Sequence, residues 1–312
     1  MKQGKIVVVM GGPSSEAEVS RRTGAAIVSA LESKGYAVEG MELDPPHFAE
    51  AIRKSDCAIV FNALHGRYGE DGVLQGTLDM LGIPYTGSGV LAAAVTMDKV
   101  MSKRVFLGAG ISTPRSETFH RFEFDRELPS RIRKAFSLPV VIKASSQGSS
   151  IGVAIVEKEE ELEAALKDAF RYDEEVLVEE FIRGKELTVA VWGDAREAQA
   201  FPVIEITTVS GRYDYASKYT KGASTHIIPA RIPSEVTERV QQLAVDAFRA
   251  CGCRGVARAD MMLGEDMTPY VIEINSMPGM TETSLVPDAG RAMGVEFPEL
   301  CERILEMAGY EK

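Results

Sequence analysis

Val256-Ala-Arg-Ala-Asp-Met-Met-Leu263, the turn-rich stretch Gly264 to Pro269, and Tyr270-Val-Ile-Glu-Ile-Asn275 read as an antiparallel hairpin. Centring its turn between Asp266 and Met267 sets Asp260 opposite Glu273 and Arg258 opposite Asn275. Strand side chains alternate, so these four polar residues share one face, and Ala257, Ala259, Met261, Ile272 and Ile274 share the other as core. Opposed residues stand only about 4.5–5.5 Å apart at Cβ, where two carboxylates repel unless something compensates them. Two compensators are available. A divalent cation would take hard oxygens from Asp260, Glu273 and Asn275, a set suited to Mg²⁺ with phosphates and waters completing its shell. Alternatively, Arg258 pairs with Glu273 on a solvated sheet face.

Beyond the hairpin, Ser276-Met-Pro-Gly-Met-Thr-Glu-Thr-Ser284 is a polar loop. Its Gly279 allows close backbone approach to a ligand and its hydroxyls can donate, although the same hydroxyls serve equally well as helix caps. At the other end of the chain, Lys5 to Met10 is a β-branched strand ending in Gly11-Gly12, and Ser15-x-x-Glu18 reads as a capping box for a helix through about Ser33. Cys57-Ala-Ile-Val-Phe-Asn62 starts a second strand, loop and helix unit with glycines 66, 69 and 72. Alternating strands and helices predict a parallel, doubly wound sheet over 1–97. A smaller α+β module follows over 98–182, with a strand Leu138–Lys143, an acidic helix Glu159–Phe170 and a strand Val176–Val178. The segment 183–312 carries longer strands, a helix Ser234–Ala250, the hairpin and a last helix near Glu299–Met307.

No Walker or dinucleotide glycine fingerprint is present, so phosphates need another cradle. Lys143 runs into Ala144-Ser-Ser-Gln-Gly-Ser-Ser-Ile-Gly152, which either wraps phosphates or simply connects strands. Lys99, at a helix start in Thr96-Met-Asp-Lys99, either reaches a phosphate or decorates a surface. Glu179, Glu180 and Glu186 flank a turn and suit an adenine amine and ribose hydroxyls, or are plain exposed acids. Glu16 is the acid left without a structural task once Glu18 caps the helix, although a first-turn glutamate also suits the helix dipole. His65 follows the second strand at its carboxyl end, where open α/β sheets place ligands, and a purely structural histidine reads equally well. Tyr213-Asp-Tyr-Ala-Ser-Lys-Tyr219 and the residues after it form a polar aromatic loop able to cover a site.

The 312 residues carry 35 Lys+Arg against 46 Asp+Glu, net −11, which argues against a nucleic-acid binder. With 45% hydrophobic and 26% charged residues, a folded globular chain of about two or three domains is expected. The apolar run Ile6–Met10 is too short for a leader or a membrane span. The four cysteines form no zinc pattern, so core thiols in a reducing cytoplasm are expected.

Taken together, Gly11-Gly-Pro-Ser-Ser-Glu-Ala-Glu-Val-Ser20, Leu64-His-Gly-Arg-Tyr-Gly-Glu-Asp-Gly72, Tyr85-Thr-Gly-Ser-Gly89, Met97-Asp-Lys99, Gly148-Ser-Ser150, Tyr213-Asp-Tyr215 with Lys218-Tyr219, and Glu273-Ile-Asn-Ser-Met-Pro-Gly-Met-Thr281 resemble the D-alanine–D-alanine ligases of the ATP-grasp superfamily over nearly the whole length. Ala144 departs from the proline expected there, which would stiffen the start of the loop. The resemblance implies a Rossmann-like substrate domain (1–97), a central ATP-grasp lid (98–182) and a catalytic ATP-grasp domain (183–312), with ATP between the last two. It implies a cytoplasmic enzyme, a homodimer bound to neither nucleic acid nor membrane, making D-alanyl-D-alanine for peptidoglycan through a D-alanyl phosphate. Two Mg²⁺ ions, replaceable by Mn²⁺, would sit on Asp260, Glu273 and Asn275. Lys99, Lys143 and Lys218 would hold ATP phosphates, Glu179 would accept from adenine and Glu186 from ribose, with Ser150, Glu180 and Ile182 completing the nucleotide set. Glu16 would bind the ammonium of the first D-alanine, Ser284 the carboxylate of the second, and His65 would belong to the substrate site. Arg258 and the Gly279 N–H would form an oxyanion hole, and Ser149 and Tyr219 would link to Glu16 and hold the loop shut.

Relatives that make a D-lactate ester resemble Phe at position 219, so Tyr219→Phe is expected to raise D-lactate use relative to D-alanine. An unchanged ratio of the two kcat/KM values removes the specificity role.

Overall fold

In the computed structural model, which describes residues 4–148, 151–208, 223–281 and 284–310, the strands of the described residues form three sheets. The first unit alternates β1 (Lys5–Met10), α1 (Ala17–Ser33), β2 (Ala37–Glu42), α2 (Phe48–Lys54), β3 (Cys57–Asn62) and α3 (Val73–Leu81). Its sheet is parallel in the order β2-β1-β3. Ile6, Val7, Val8 and Val9 are all buried, as a central parallel strand covered on both faces requires. β2 escapes the sequence reading because it is an edge strand with mostly exposed residues and no apolar run. The expected capping box does not form. Glu16 itself is the N-cap, Glu18 pairs with Arg21 at 3.5 Å, and the Ser14 hydroxyl accepts from the Glu16 N–H at 3.2 Å while donating to the His65 carbonyl at 2.8 Å. The serine that matters therefore ties two loops together instead of capping a helix.

α4 (Val90–Met97) and α5 (Lys99–Gly108) lead to β4 (Ser116–His120), α6 (Leu128–Ala135), β5 (Val140–Ala144), β6 (Val153–Val156), α7 (Leu162–Ala169) and β7 (Glu175–Glu180). The antiparallel order is β4-β7-β5-β6. Val140, Ile142, Val176 and Val178 pack with Leu128, Ile132, Leu162 and Leu166 on one face. Alternation then sets Val141, Lys143, Leu177 and Glu179 on the other. β7 runs further than the expected Val176–Val178, so Glu179 and Glu180 lie on a strand and not beside a turn.

The third unit holds β8 (Gly184–Gly193), β9 (Gln199–Ala200), β10 (Ile204–Thr208), β11 (Ser224–Ile227), α8 (Ser234–Ala250), β12 (Gly255–Gly264), β13 (Pro269–Asn275), α9 (Leu285–Ala292) and α10 (Phe297–Glu306). The sheet order is β11-β10-β8-β12-β13, with β9 on β8. Val240 and Phe248 of α8 and Phe106 of α5 pack against Leu187, Val189, Ala257, Ala259, Met261 and Ile274.

The hairpin register is as read from the sequence at its functional end: Arg258 faces Asn275, Ala259 faces Ile274 and Asp260 faces Glu273. Beyond that point Met261 faces Val271, so Ile272 is the extra residue of a β-bulge. The expected core position of Ile272 is corrected accordingly. Val271 is buried in its place and Ile272 is half-buried, because one inserted residue reverses the alternation.

α10 folds back onto the first unit. Leu300 and Ile304 share a core with Ile6, Ile27 and Leu31, and Glu302 pairs with Lys34 at 2.7 Å and accepts from the Tyr36 hydroxyl at 3.0 Å. The start of β12 touches the same unit: a Cβ on Gly255, which has φ +75°, would stand 3.1 Å from the Gly87 backbone. Truncating Ile304 to Ala should destabilise the protein by about 2–5 kcal/mol, read as a lower urea midpoint, whereas Leu107→Ala, at an exposed position of α5, should move it by less than about 0.5 kcal/mol.

Candidate active site

The polar face of the third sheet carries a chain of compensated charge. Arg258 donates to Asp260 through Nε at 2.7 Å and Nη2 at 2.6 Å, and the buried Thr188 hydroxyl donates to Asp260 Oδ1 at 2.6 Å. Glu273, opposite, has the Lys99 ammonium 3.6 Å from its Oε2. The alternative pairing of Arg258 with Glu273 thus gives way to a fork on Asp260, two residues away on the same strand. Asn275 Oδ1 accepts from the Met277 N–H at 2.9 Å, which fixes the amide oxygen. Among the described residues no group of three His, Cys, Asp or Glu gathers on one point, so the donor set here is two carboxylates and an amide. Oδ1 of Asp260 is taken up by Arg258 and Thr188, while Asp260 Oδ2 and Asn275 Oδ1 each accept one hydrogen bond and keep a second lone pair for a cation. That fits Mg²⁺, which takes a few protein oxygens and leaves the remainder to phosphate and water.

Facing them, Lys143 and Glu179 sit on the polar face of the four-stranded sheet. Glu179 is 1% exposed, with Lys143 Nζ 2.5 Å from Oε2 and Lys103 Nζ 2.7 Å from Oε1. Burial would raise the Glu179 carboxyl, but the ammoniums of Lys143 and Lys103 hold it below its ordinary value. Burial pushes the Lys103 ammonium down to about 8 against the pull of Glu179. Both oxygens of Glu179 therefore stand beside lysines, and a carboxylate has acceptor positions left for the adenine amine expected there. Glu180 Oε1 accepts the Arg115 N–H at 2.9 Å. Glu186 and Ile182 lie at the start of the third sheet, Glu186 in β8 facing Met262 and Ile206, and both are half-buried.

The loop after β5 is held from several sides. Lys99 donates its N–H to the Ser145 carbonyl at 2.9 Å and its ammonium to the Gln147 carbonyl at 2.6 Å. Asp98 caps α5 through the Met101 N–H at 2.9 Å and accepts the Ser145 hydroxyl at 2.8 Å, while Asp173 accepts the Ser146 N–H at 2.7 Å. Across the cleft, a Cβ on Gly148 would lie 2.8 Å from Glu16 Oε2, and one on Gly66 3.1 Å from it. The Glu16 carboxylate thus sits between the two loops, where it can meet an ammonium. His65 is buried, its Nε2 3.2 Å from the Thr23 hydroxyl and its Nδ1 3.5 Å from Glu70, so protein groups occupy both ring nitrogens. Ser284 is the N-cap of α9, a helix absent from the sequence reading; its hydroxyl accepts from the Thr281 N–H at 3.1 Å and lies 3.3 Å from where a Gly279 Cβ would be.

Ser149, Ser150, Lys218 and Tyr219 lie outside the described residues, as does most of the polar aromatic loop, whose end at Ser224 and Thr225 belongs to β11. Lys103, Asp98, Asp173 and Thr188 escape the sequence reading. Only Asp98 left a signal there, as a helix cap within Thr96-Met-Asp-Lys99.

Residues 105–306 match the family described as D-ala D-ala ligase C-terminus, and residues 40–88 its N-terminus. A D-alanine–D-alanine ligase of Desulforudis audaxviator is 49% identical over 305 residues, covering 97% of this chain and 98% of that protein. One from Moorella thermoacetica is 48% identical, covering 97% and 99%. Among solved structures, a D-alanine–D-alanine ligase from Bacillus anthracis complexed with ATP superposes with a TM-score of 0.83 at 34% identity, covering 98% of this chain and 97% of that one. The VanG D-Ala:D-Ser ligase of Enterococcus faecalis gives 0.83 at 31% identity, covering 98% and 99%. Two antiparallel sheets presenting lysines and carboxylates to a shared cleft, beside a parallel unit, define an ATP-grasp ligase. The chain belongs to the D-alanine–D-alanine ligase family.

A methyl added at Gly148 would collide with the Glu16 carboxylate, so Gly148→Ala is expected to raise the D-alanine concentration for half-maximal ADP release by about tenfold or more, as misplacement near 1 Å does. Gly108→Ala at the exposed end of α5, where an added Cβ meets nothing within 4 Å, serves as control and should leave it unchanged.

Proposed function

We propose that this cleft joins two D-alanines into D-alanyl-D-alanine with ATP, releasing ADP and phosphate and supplying a peptidoglycan precursor. The observation that carries the reading is the directly opposed pair Asp260 and Glu273 beside Asn275, on a sheet face that the Lys99 ammonium reaches. Bound magnesium, as two ions replaceable by manganese, supplies charge neutralisation of phosphate oxygens; Asp260, Glu273 and Asn275 hold it. Lys99, Lys143 and Lys218 align the phosphates, and the serine-rich loop with Ser150 wraps them. Glu179 accepts from the adenine amine, and Glu180, Ile182 and Glu186 complete the seat of base and ribose.

Glu16 binds the ammonium of the first D-alanine, with His65 orienting the loop around it. The carboxylate of that D-alanine attacks the γ-phosphorus, the bond from that phosphorus to the β–γ bridging oxygen breaks, ADP departs and the carboxylate becomes an acyl phosphate. Ser284 places the carboxylate of the second D-alanine so that its amine reaches the acyl carbon. The Arg258 guanidinium and the Gly279 N–H stabilise the tetrahedral oxyanion, and phosphate then leaves. Ser149 and Tyr219 close the covering loop onto Glu16. No protein nucleophile enters, so rate arises from positioning and electrostatic stabilisation.

The same reading divides the chain into a substrate unit (1–97), a lid (98–182) and a catalytic unit (183–312), and pairs two copies into a homodimer. Met80 and Leu91, the most exposed apolar side chains of α3 and α4, are surfaces such pairing would cover. Among the described residues no helix is long and apolar enough to cross a membrane. Dependence on ATP assigns the reaction to the cytoplasm.

Glu273→Gln should abolish phosphate release at saturating D-alanine, ATP and magnesium, and near-normal turnover would refute the assignment. ADP release should depend on D-alanine, fail with L-alanine and stop in EDTA. Preference for D-lactate or D-serine as the second substrate would change the product assigned.

A further inference from the structure

Lys103 plays no part in the steps above, yet it is 3% exposed and its ammonium is enclosed between Glu179 Oε1 and the Pro114 carbonyl, 2.7 Å from each. Its helix, α5, belongs to the core of the third sheet through Phe106. Glu179 and Lys143 belong to the four-stranded sheet, on the face opposite its own core. The contact therefore bridges the two halves of the nucleotide cleft.

The charges in this chain do not cancel. Two ammoniums flank one carboxylate, leaving a surplus positive charge among three side chains that are 3%, 1% and 7% exposed for Lys103, Glu179 and Lys143. Glu180, whose Oε1 accepts the Arg115 N–H, offsets part of it through space on the Lys103 side, and the remainder calls for an anion outside the trio. Lys143 lies on the strand that runs into the serine-rich loop, so the anion belongs on its side. Were Lys103 absent, Glu179 would turn wholly to Lys143, and the pair would be neutral.

We propose that Lys103 is a positioning residue for the nucleotide: by sharing the charge of Glu179 it keeps Lys143 both fixed and electropositive toward the ATP phosphates. The inference rests on the assignment of Lys143 to those phosphates. It also gives Glu179 a role that the adenine contact does not explain. Lys103 touches neither substrate; it acts through Glu179.

The test combines Lys103→Met, Glu179→Gln and the double variant, with calorimetric affinity for a non-hydrolysable ATP analogue plus magnesium, and with KM for ATP and for D-alanine. Lys103→Met should weaken analogue binding and raise the ATP KM on the order of tenfold, as loss of a residue supporting a ligand-binding group does, with the D-alanine KM unchanged. Adding Glu179→Gln should restore most of that affinity, because Lys143 then no longer has a carboxylate to neutralise it. If Lys103→Met does not fold, the comparison of Glu179→Gln with the double variant decides: the two should bind the analogue alike. Additive losses, or a D-alanine KM that rises in step with the ATP KM, would overturn the proposal. Absence of D-alanine-dependent ADP release by the unaltered protein would instead remove the ligase reading, so the two failures are distinguishable.

Discussion

Two carboxylates on directly opposed residues of neighbouring strands repel, and the third sheet places Asp260 and Glu273 in that relation. Much of the polar architecture follows from the need to hold them there. Arg258 grips Asp260 from the same strand, Thr188 steadies it from the strand beside, and Lys99 reaches Glu273 from the start of α5. None of these neutralises the whole group, and the oxygens remain able to bind a cation carried in with phosphates. The bulge at Ile272 adjoins Glu273, the place where a strand can re-aim one side chain without losing its core face.

The same economy of faces recurs in the four-stranded sheet. Alternate residues of β5 and β7 enter a core with α6 and α7, and the residues between them, Lys143 and Glu179, are left for the cleft. The four-stranded sheet brings Lys143 to the cleft, and the third sheet brings the carboxylates of Asp260 and Glu273. Lys99 belongs to both, donating to Gln147 of the loop and standing beside Glu273. The order of elements along the chain produces this link: α5 directly precedes the four-stranded unit, yet packs on the core of the unit that follows it.

What the sequence disclosed and what it withheld have a common cause. The register of Asp260 with Glu273 and the bounds of Ser234–Ala250 depend on local alternation and periodicity, which a single chain displays openly. Lys103, Asp173 and Thr188 matter only through partners 76, 27 and 72 residues away, such as Glu179, Ser146 and Asp260. Nothing in their own neighbourhoods marks them. Ile272 misled because a bulge adds a residue without changing composition, and β2 because an edge strand needs no apolar stripe. Glu16 stood apart in the sequence for a reason the structure replaces: Glu18 does not cap the helix, and Ser14 ties the loops that surround Glu16.

The cores themselves sort the molecule into parts held by different forces. The first unit and the third share apolar contacts through Ile27, Leu31, Leu300 and Ile304, so Glu16 and Ser284 are positioned against a common, close-packed frame. The core of the four-stranded sheet draws its residues from within 119–178, and its ties across the cleft include the polar pairs Lys103 with Glu179, Lys99 with Gln147 and Asp98 with Ser145. Polar ties exchange for water and ligand far more readily than buried apolar area does. A carboxylate–amine ligation needs two small substrates fixed to within fractions of an ångström while a bulky triphosphate enters and its diphosphate leaves. Under the proposed reading, apolar packing fixes the amino acids and charge holds the nucleotide, a division that meets both demands in one chain.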